Sequence, residues 1–213
     1  MATGSSSENL TRLTPILLAL AVINTASVVA FAIWHPTTRF DARTLFTTAI
    51  LAMLVVIAEQ LAIDLPIPYT RVTVSVSSAV NFAAVLTVGP FWGVLAAVVG
   101  AVVDDLLERR EPIKMLVNAN NFALQGVIAG PIYYALAQAG SPLSSLANFG
   151  AMLLAALTSS IAQTLLLGIV LSVAMGTSAW YLWRSMARGL LVEFLALPAL
   201  GSLFPILAEE HPL

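Results

Sequence analysis

The 213-residue chain has no cysteine and only two histidines, His35 and His211. The first absence excludes disulfides, thiolate metal sites and cysteine nucleophiles. The two histidines are far apart and lie outside the apolar runs, so no histidine metal site or histidine-based triad is expected. Charge is scarce too: Asp, Glu, Lys and Arg make up 9% of the residues, against roughly 25% in a soluble domain. The formal net charge of -2 offers no basic face to nucleic acid. There is no G-x-S-x-G, H-E-x-x-H or Walker sequence, so neither catalysis nor a cofactor is expected. What the chain has in quantity is hydrocarbon, with 59% hydrophobic residues.

A spanning helix needs about 20 mostly apolar residues. The runs 15–34, 44–63, 116–136, 151–175 and 189–207 meet that requirement. The run 78–107 is interrupted by Gly89-Pro90. Proline removes a backbone donor and restrains the residue before it, which splits this run into a short helix, 79–88, and a longer one, 91–107. The expected fold is all-α: a polytopic transmembrane helix bundle of six full-length helices plus one short Gly-Pro-broken helix. It forms a single domain over 15–207, between a polar tail (1–14) and a short tail (208–213). The first helix, 15–34, reads as an addition to a six-helix core over 44–207. The opening MATGSSSENLTRLTP lacks the basic region of a signal peptide, so that helix is retained. Arg12, Arg71, Arg109, Arg110, Lys114, Arg184 and Arg188 fall on one side, Arg39 and Arg43 on the other, and the positive-inside rule puts the larger group in the cytoplasm.

The connection 64–77 differs in kind. LPIP opens it, and RVTVSVSS then alternates valine with Arg, Thr or Ser at period two. It reads as a short strand or an extended surface segment, either an ordinary amphipathic loop or a flap over a cavity. Asn81-Phe82-Ala83 ahead of Gly89-Pro90 is echoed by Asn121-Phe122-Ala123 ahead of Gly130-Pro131. Such an echo fits an internal repeat or a coincidence of composition.

A carboxylate at a helix centre costs about 2.5–3.5 kcal/mol on insertion scales, so acids inside apolar runs mark functional candidates. These are Glu59, Asp104, Asp105 and Glu193. In VNANNFALQG, residues 117–126, Asn118, Asn121 and Gln125 share a face at 0, +3 and +7, with Asn120 opposite. Gly93, Ala97, Gly100 and Asp104 form a small-residue stripe, and Gly126 and Gly130 a GxxxG step, both suited to close helix packing. A short basic connection makes the helices on either side antiparallel neighbours, which would let Asp104 meet Asn118. Asp105, about 100° away, would face lipid heads or a second partner. The amides serve either as interhelical glue, worth about 0.6 kcal/mol each, or as one wall of a pocket. The acids pair locally with Arg109 or Arg110, or join that pocket. The pocket reading takes Glu59, Asp104, Asn118, Asn121, Gln125 and Glu193 as ligand-binding, with 64–77 as flap. Thr158, Ser159, Ser160 and Gln163 read as packing or backbone-bonding residues. Trp180, Tyr181 and Trp183 read as an interfacial belt.

The run PIPYTRVTVSVSSAVNFAAVLTVGPFWGVLAAVVGAVVDDLLERREPIKMLVNANNFAL resembles the membrane input region of bacterial HD-GYP and diguanylate-cyclase signalling proteins. A proline-rich start, a V-S-V-S stretch, a G-P break, an acid-ended helix, a basic loop and an N-A helix start occur there in this order. The resemblance covers roughly 44–207. It implies a sensory or ligand-binding module of a bacterial inner membrane, without catalysis, coupled to a cytoplasmic signalling domain that this stretch of chain does not contain. More distantly the chain is similar to the substrate-binding S subunits of energy-coupling-factor transporters, through Gly89, Pro90, Gly93, Ala97, Gly100 and Asp104 and a small-residue step at Ala58 and Ala62. That likeness implies capture of a vitamin or other small polar solute and transporter coupling subunits as partners. The sequence departs from it in the extra first helix and in the basic residues around the flap. The leading expectation is the sensory module, the alternatives a transporter subunit or a structural scaffold; in each case the bilayer is a partner and nucleic acid is not.

Overall fold

A computed structural model describes residues 13–34, 40–61, 63–67, 70–74, 76–140 and 142–186. Its elements are α1 (Thr14–Trp34), α2 (Ala42–Gln60), β1 (Ile63–Ile67), β2 (Thr70–Val74), α3 (Ser77–Leu107), α4 (Pro112–Leu136) and α5 (Leu146–Met175). Helical backbone resumes over 179–186. α2 and α5 begin earlier than their apolar runs because a side chain caps each start. The Asp41 carboxylate accepts from the Thr44 N–H at 2.7 Å, and the Ser145 hydroxyl accepts from the Asn148 N–H at 3.1 Å. Pro112 opens α4, where its missing donor is not needed. Gly176, at φ 64°, ends α5. The expected final span, 189–207, lies outside the described residues.

Gly89 does more than break a helix. At φ 87° and ψ 166° it reverses the chain inside α3, so that residues 77–88 and 90–107 form two antiparallel arms. A Cβ built on Gly93 would stand 2.6 Å from the Val85 Cα; eight residues apart on a straight helix, those atoms would be about 12 Å apart. The first arm is about 18 Å long, short of the roughly 30 Å hydrocarbon core. The run 78–107 thus enters and returns.

Side-chain pairs fix the directions of the other elements. Val55, Ala58, Val80, Ala97, Ala101 and Phe122 form one buried cluster, and a Cβ on Gly100 would meet the Val55 Cβ at 2.7 Å. This lays α2 alongside the second arm of α3. Gly126 lies against Val94 and Val85, and Gly130 against Pro90, so α4 runs antiparallel to the second arm. The end of α2, both ends of α3, the start of α4 and the end of α5 share one end of the bundle. The antiparallel β1–β2 hairpin, with Ile63 paired to Val74 and Ile67 to Thr70, is joined to that same end, called here the flap end. Arg109, Arg110, Lys114 and Arg184 are there and Arg43 is at the other, which agrees with the basic-residue partition. At the far end Phe40 packs on Phe91 and Trp92, with ring centroids 5.6 and 5.2 Å apart.

The expected helical transmembrane bundle is observed. α1, α2 and α5 are each long and apolar enough to cross a membrane, and side chains such as Leu18, Val22, Ile33 and Ile169 are exposed on their outer faces. The chain is a multi-pass membrane protein. The two Gly-Pro steps of the echoed sequence differ in use: the first reverses the chain, whereas Pro131 sits within a continuous α4.

Candidate functional site

Polar side chains collect in three places within the apolar bundle. The first is a layer at mid-depth, shared by the first arm of α3, α4 and α5. Asn81, fully buried, donates to Gln125 Oε1 at 2.5 Å and to the Phe122 carbonyl at 3.1 Å. Gln125, also fully buried, donates to the Ser78 carbonyl at 3.1 Å. Gln163 donates to the Asn121 carbonyl at 3.1 Å. No described residue donates to the buried oxygens Asn81 Oδ1, Asn121 Oδ1 and Gln163 Oε1, and the Ser160 hydroxyl has no described partner either. A buried polar atom without a partner costs about 1–3 kcal/mol, more than the average glue contribution of an interhelical amide. The layer is therefore rich in neutral, open acceptors.

The second group lies at the flap end. Ser77 donates to Glu59. Gln60 Nε2 donates to Asp104 Oδ1 at 2.5 Å and to Glu108 Oε1 at 3.3 Å. Asp104 and Asp105 are 2% and 1% exposed, and one guanidinium serves both: Arg110 is 3.6 Å from Asp104 Oδ2 and 2.8 Å from Asp105 Oδ1. Asn118 donates to both Asp105 oxygens, at 2.8 and 3.2 Å. The expected Asp104–Asn118 meeting is thus corrected. α2 lies on the Asp104 side of the second arm and α4 on the Asp105 side, so the two neighbouring acids turn to different helices and neither faces lipid. Their expected local pairing with Arg110 is present.

The third group fastens α1. Asn24 Nδ2 donates to Asn120 Oδ1 at 3.1 Å, and Asn120 Nδ2 to the Leu17 and Leu116 carbonyls at 3.2 and 2.9 Å. Beside it, between α1, α3 and α4, runs a groove of about 290 Å³ lined by Val28, Phe91, Val94, Leu95 and Leu116 among others. The Asn24 and Asn120 amides in its wall bond to each other, and neither is among the buried groups left unpaired.

The candidates read from the sequence thus divide. Asn121 and Gln125 belong to the mid-depth layer, Glu59, Asp104 and Asn118 to the flap end, and Glu193 lies outside the described residues. Asn81, Ser160 and Gln163 were not among the expected ligand residues. Asn81 stood in the echoed Asn-Phe-Ala, and a fully buried amide facing a second Asn-Phe-Ala was its signal; hydroxyls and amides on α5 resemble ordinary backbone-bonding residues. An added Cβ would meet the first arm at Gly93, α2 at Gly100, and α3 at Gly126 and Gly130. Among the described residues no group of His, Cys, Asp and Glu is placed to hold a metal ion.

Fold and polar interior together define a multi-pass helical membrane protein with a neutral hydrogen-bonding layer in its middle. Residues 39–200 match the family model of the ECF-type riboflavin transporter, S component, and the chain belongs to that family. No curated protein matches it. S components are substrate-binding subunits without catalytic activity, and they work in the membrane with transporter coupling subunits. This overturns the leading expectation of a sensory module reporting to a cytoplasmic signalling domain. The resemblance to signalling input regions has no support in the match, because the features that carried it, the flap, the Gly-Pro reversal and the acid-ended arm, all lie within the matched S-component residues. α1 precedes the match.

Proposed function

We propose that this chain is the riboflavin-binding subunit of a bacterial inner-membrane transporter, and that the mid-depth layer is where the vitamin's polar groups are held. The observation that carries this is the set of open acceptors on Asn81, Asn121 and Gln163, with the Ser160 hydroxyl beside them. Riboflavin presents donors of the matching kind, an imide N–H on its ring and hydroxyls along its ribityl chain. A hydrophobic setting with a few placed polar groups is also the usual make-up of a small-molecule site. The donors would complete these four groups, which have no partner among the described residues, and neutral amides need no counter-charge from the ligand. Gln125, spent on Asn81 and Ser78, would hold Asn81 in place rather than touch the ligand. The β1–β2 hairpin would close over the flap end.

Uptake tests the proposal. Expressed with transporter coupling subunits in a riboflavin auxotroph, the chain restores growth on low external riboflavin, and the coupling subunits alone do not. Equal growth with and without the chain, with the protein present in the membrane, would overturn the reading.

A further inference from the structure

The groove between α1, α3 and α4 stands apart from the mid-depth layer, since none of the four open groups there lines it. One face of each helix builds it: residues 21–29 of α1, 91–98 of α3 and 116–123 of α4 reach it at three- and four-residue steps. The small side chains of Ala21, Ala119 and Ala123 leave the space. Val29 on one wall and Leu95 on another are 46% and 39% exposed, so the groove opens on the hydrocarbon-facing side of the bundle. Its polar groups are engaged: Asn24 bonds Asn120, and the Thr25 hydroxyl donates to the Ala21 carbonyl at 2.8 Å. The wall therefore calls for no polar ligand.

Size narrows the occupant. Each lining stretch rises about 10–12 Å along its helix, and spreading a volume of about 290 Å³ over that length gives a channel about 5–6 Å across. That is about half the diameter of a helix with its side chains, too narrow for a further helix of this chain or of a second copy. A methylene is about the size of a water, about 30 Å³, so the channel takes one hydrocarbon chain of roughly ten methylenes. Apolar cavities stay dry, and a chain that fills this one restores dispersion contacts that its lining otherwise lacks. At the far end Phe91 of the groove packs on Phe40 and Trp92, with centroids 5.6 and 4.9 Å apart, an aromatic cluster of the kind found at headgroup depth. Arg43, three residues past Phe40, is exposed and makes no ion pair with a described carboxylate. Asp41 beside it caps α2.

We infer that this groove is a phospholipid site: one acyl chain of a lipid in the far-end leaflet lies between α1, α3 and α4, and its anionic headgroup meets Arg43. α1, which supplies one wall, precedes the residues matched to the family, so the site belongs to the helix this chain adds to the S-component core. The full-length protein in detergent, titrated with phosphatidylglycerol or phosphatidylcholine and weighed by native mass spectrometry, tests it. One lipid per chain should bind about tenfold more tightly than any that follow, because only the groove offers contact on three sides. Ala119→Phe fills the groove from α4 and Ala21→Phe from α1; each should abolish the tight lipid while the melting temperature without lipid stays as in the parent. Should one variant not fold, the other, on a different wall, decides. The parent should prefer phosphatidylglycerol about fivefold, the worth of one basic residue at an anionic lipid surface, and Arg43→Gln should remove that preference. Weak, unsaturating lipid addition to the parent, or a tight lipid that persists in the filled-groove variants, would overturn the site. So would a dimeric parent that turns monomeric on filling, the mark of a second copy in place of a lipid. Tight binding without headgroup preference would overturn the role of Arg43.

Discussion

Asn121 and Gln163 meet through one hydrogen bond, Gln163 Nε2 to the Asn121 carbonyl, and each keeps a side-chain oxygen to which no described residue donates. A structural amide would be expected to use its oxygen, because stranding it is costly. Substitution therefore separates the two roles. Asn121→Leu and Gln163→Leu are each expected to weaken riboflavin binding about tenfold, the value of one hydrogen bond to a buried partner. Asn121→Leu should not lower the melting temperature, since its unpaired oxygen is exchanged for an apolar group of similar size, whereas Gln163→Leu should lower it only by the one bond it gives up to the Asn121 carbonyl. Flavin fluorescence titration and a thermal melt of the same samples measure both. Glue residues would show the reverse, a lower melting temperature at unchanged affinity. Gln125 is the contrast within the layer: its side chain is paired at both ends, so removing it should cost stability as well as binding.

Among the elements, α3 carries the least ordinary geometry. Its reversal at Gly89 puts backbone at φ 87° and ψ 166°, a region open essentially to glycine alone. Gly89→Ala should destabilise the bundle by about 1–3 kcal/mol, seen as a fall in melting temperature in detergent. Gly150→Ala, at a helical position where a Cβ meets nothing within 4 Å, should instead leave stability level or raise it slightly. α1 has its own test. Asn120→Leu removes the amide link to Asn24 and Leu17 and should make α1 more accessible to protease while leaving riboflavin affinity as it was, since α1 lies outside the matched residues and away from the mid-depth layer. Much of this level was legible in the sequence. Apolar runs gave the helices, Gly89-Pro90 gave the break, and period-two valines gave a short strand as one of two readings, without its pairing to Ile63–Ile67. The return of the chain on itself was not legible, because a proline announces that a helix stops and says nothing of the angle at which the next begins. Nor was the partner of Asn118. Helical periodicity sorts residues onto faces, but which neighbour each face meets is a tertiary fact, and there Asp105 won over Asp104.

For the whole molecule, fold class and membrane setting followed from composition, while function turned on which of two resemblances was followed. The features shared with signalling input regions describe a scaffold, and a scaffold does not assign a use; the match over 39–200 does. Sidedness is the open consequence. Most of the described basic residues lie at the flap end, which the positive-inside rule would place in the cytoplasm, whereas a subunit that captures a vitamin from outside needs its flap outside. Arg110 and Lys114 at that end are each engaged with carboxylates. The transport reading predicts that a cysteine at Thr70 is labelled by a membrane-impermeant maleimide in intact cells. A cysteine at Gly140, in the far-end connection, should be labelled only after permeabilisation. The opposite pattern would favour the basic-residue count and end the capture proposal.

The central claim, that this bundle holds riboflavin through its mid-depth amides, is tested most directly by equilibrium binding to the purified protein and to the Asn121→Leu/Gln163→Leu double variant in one detergent. The account predicts saturable binding by the parent and a loss of about a hundredfold in the double variant, two hydrogen bonds' worth, with the melting temperature lowered by no more than the single Gln163–Asn121 bond the variant gives up. No binding by a well-folded parent, or equal binding by both proteins, would contradict it.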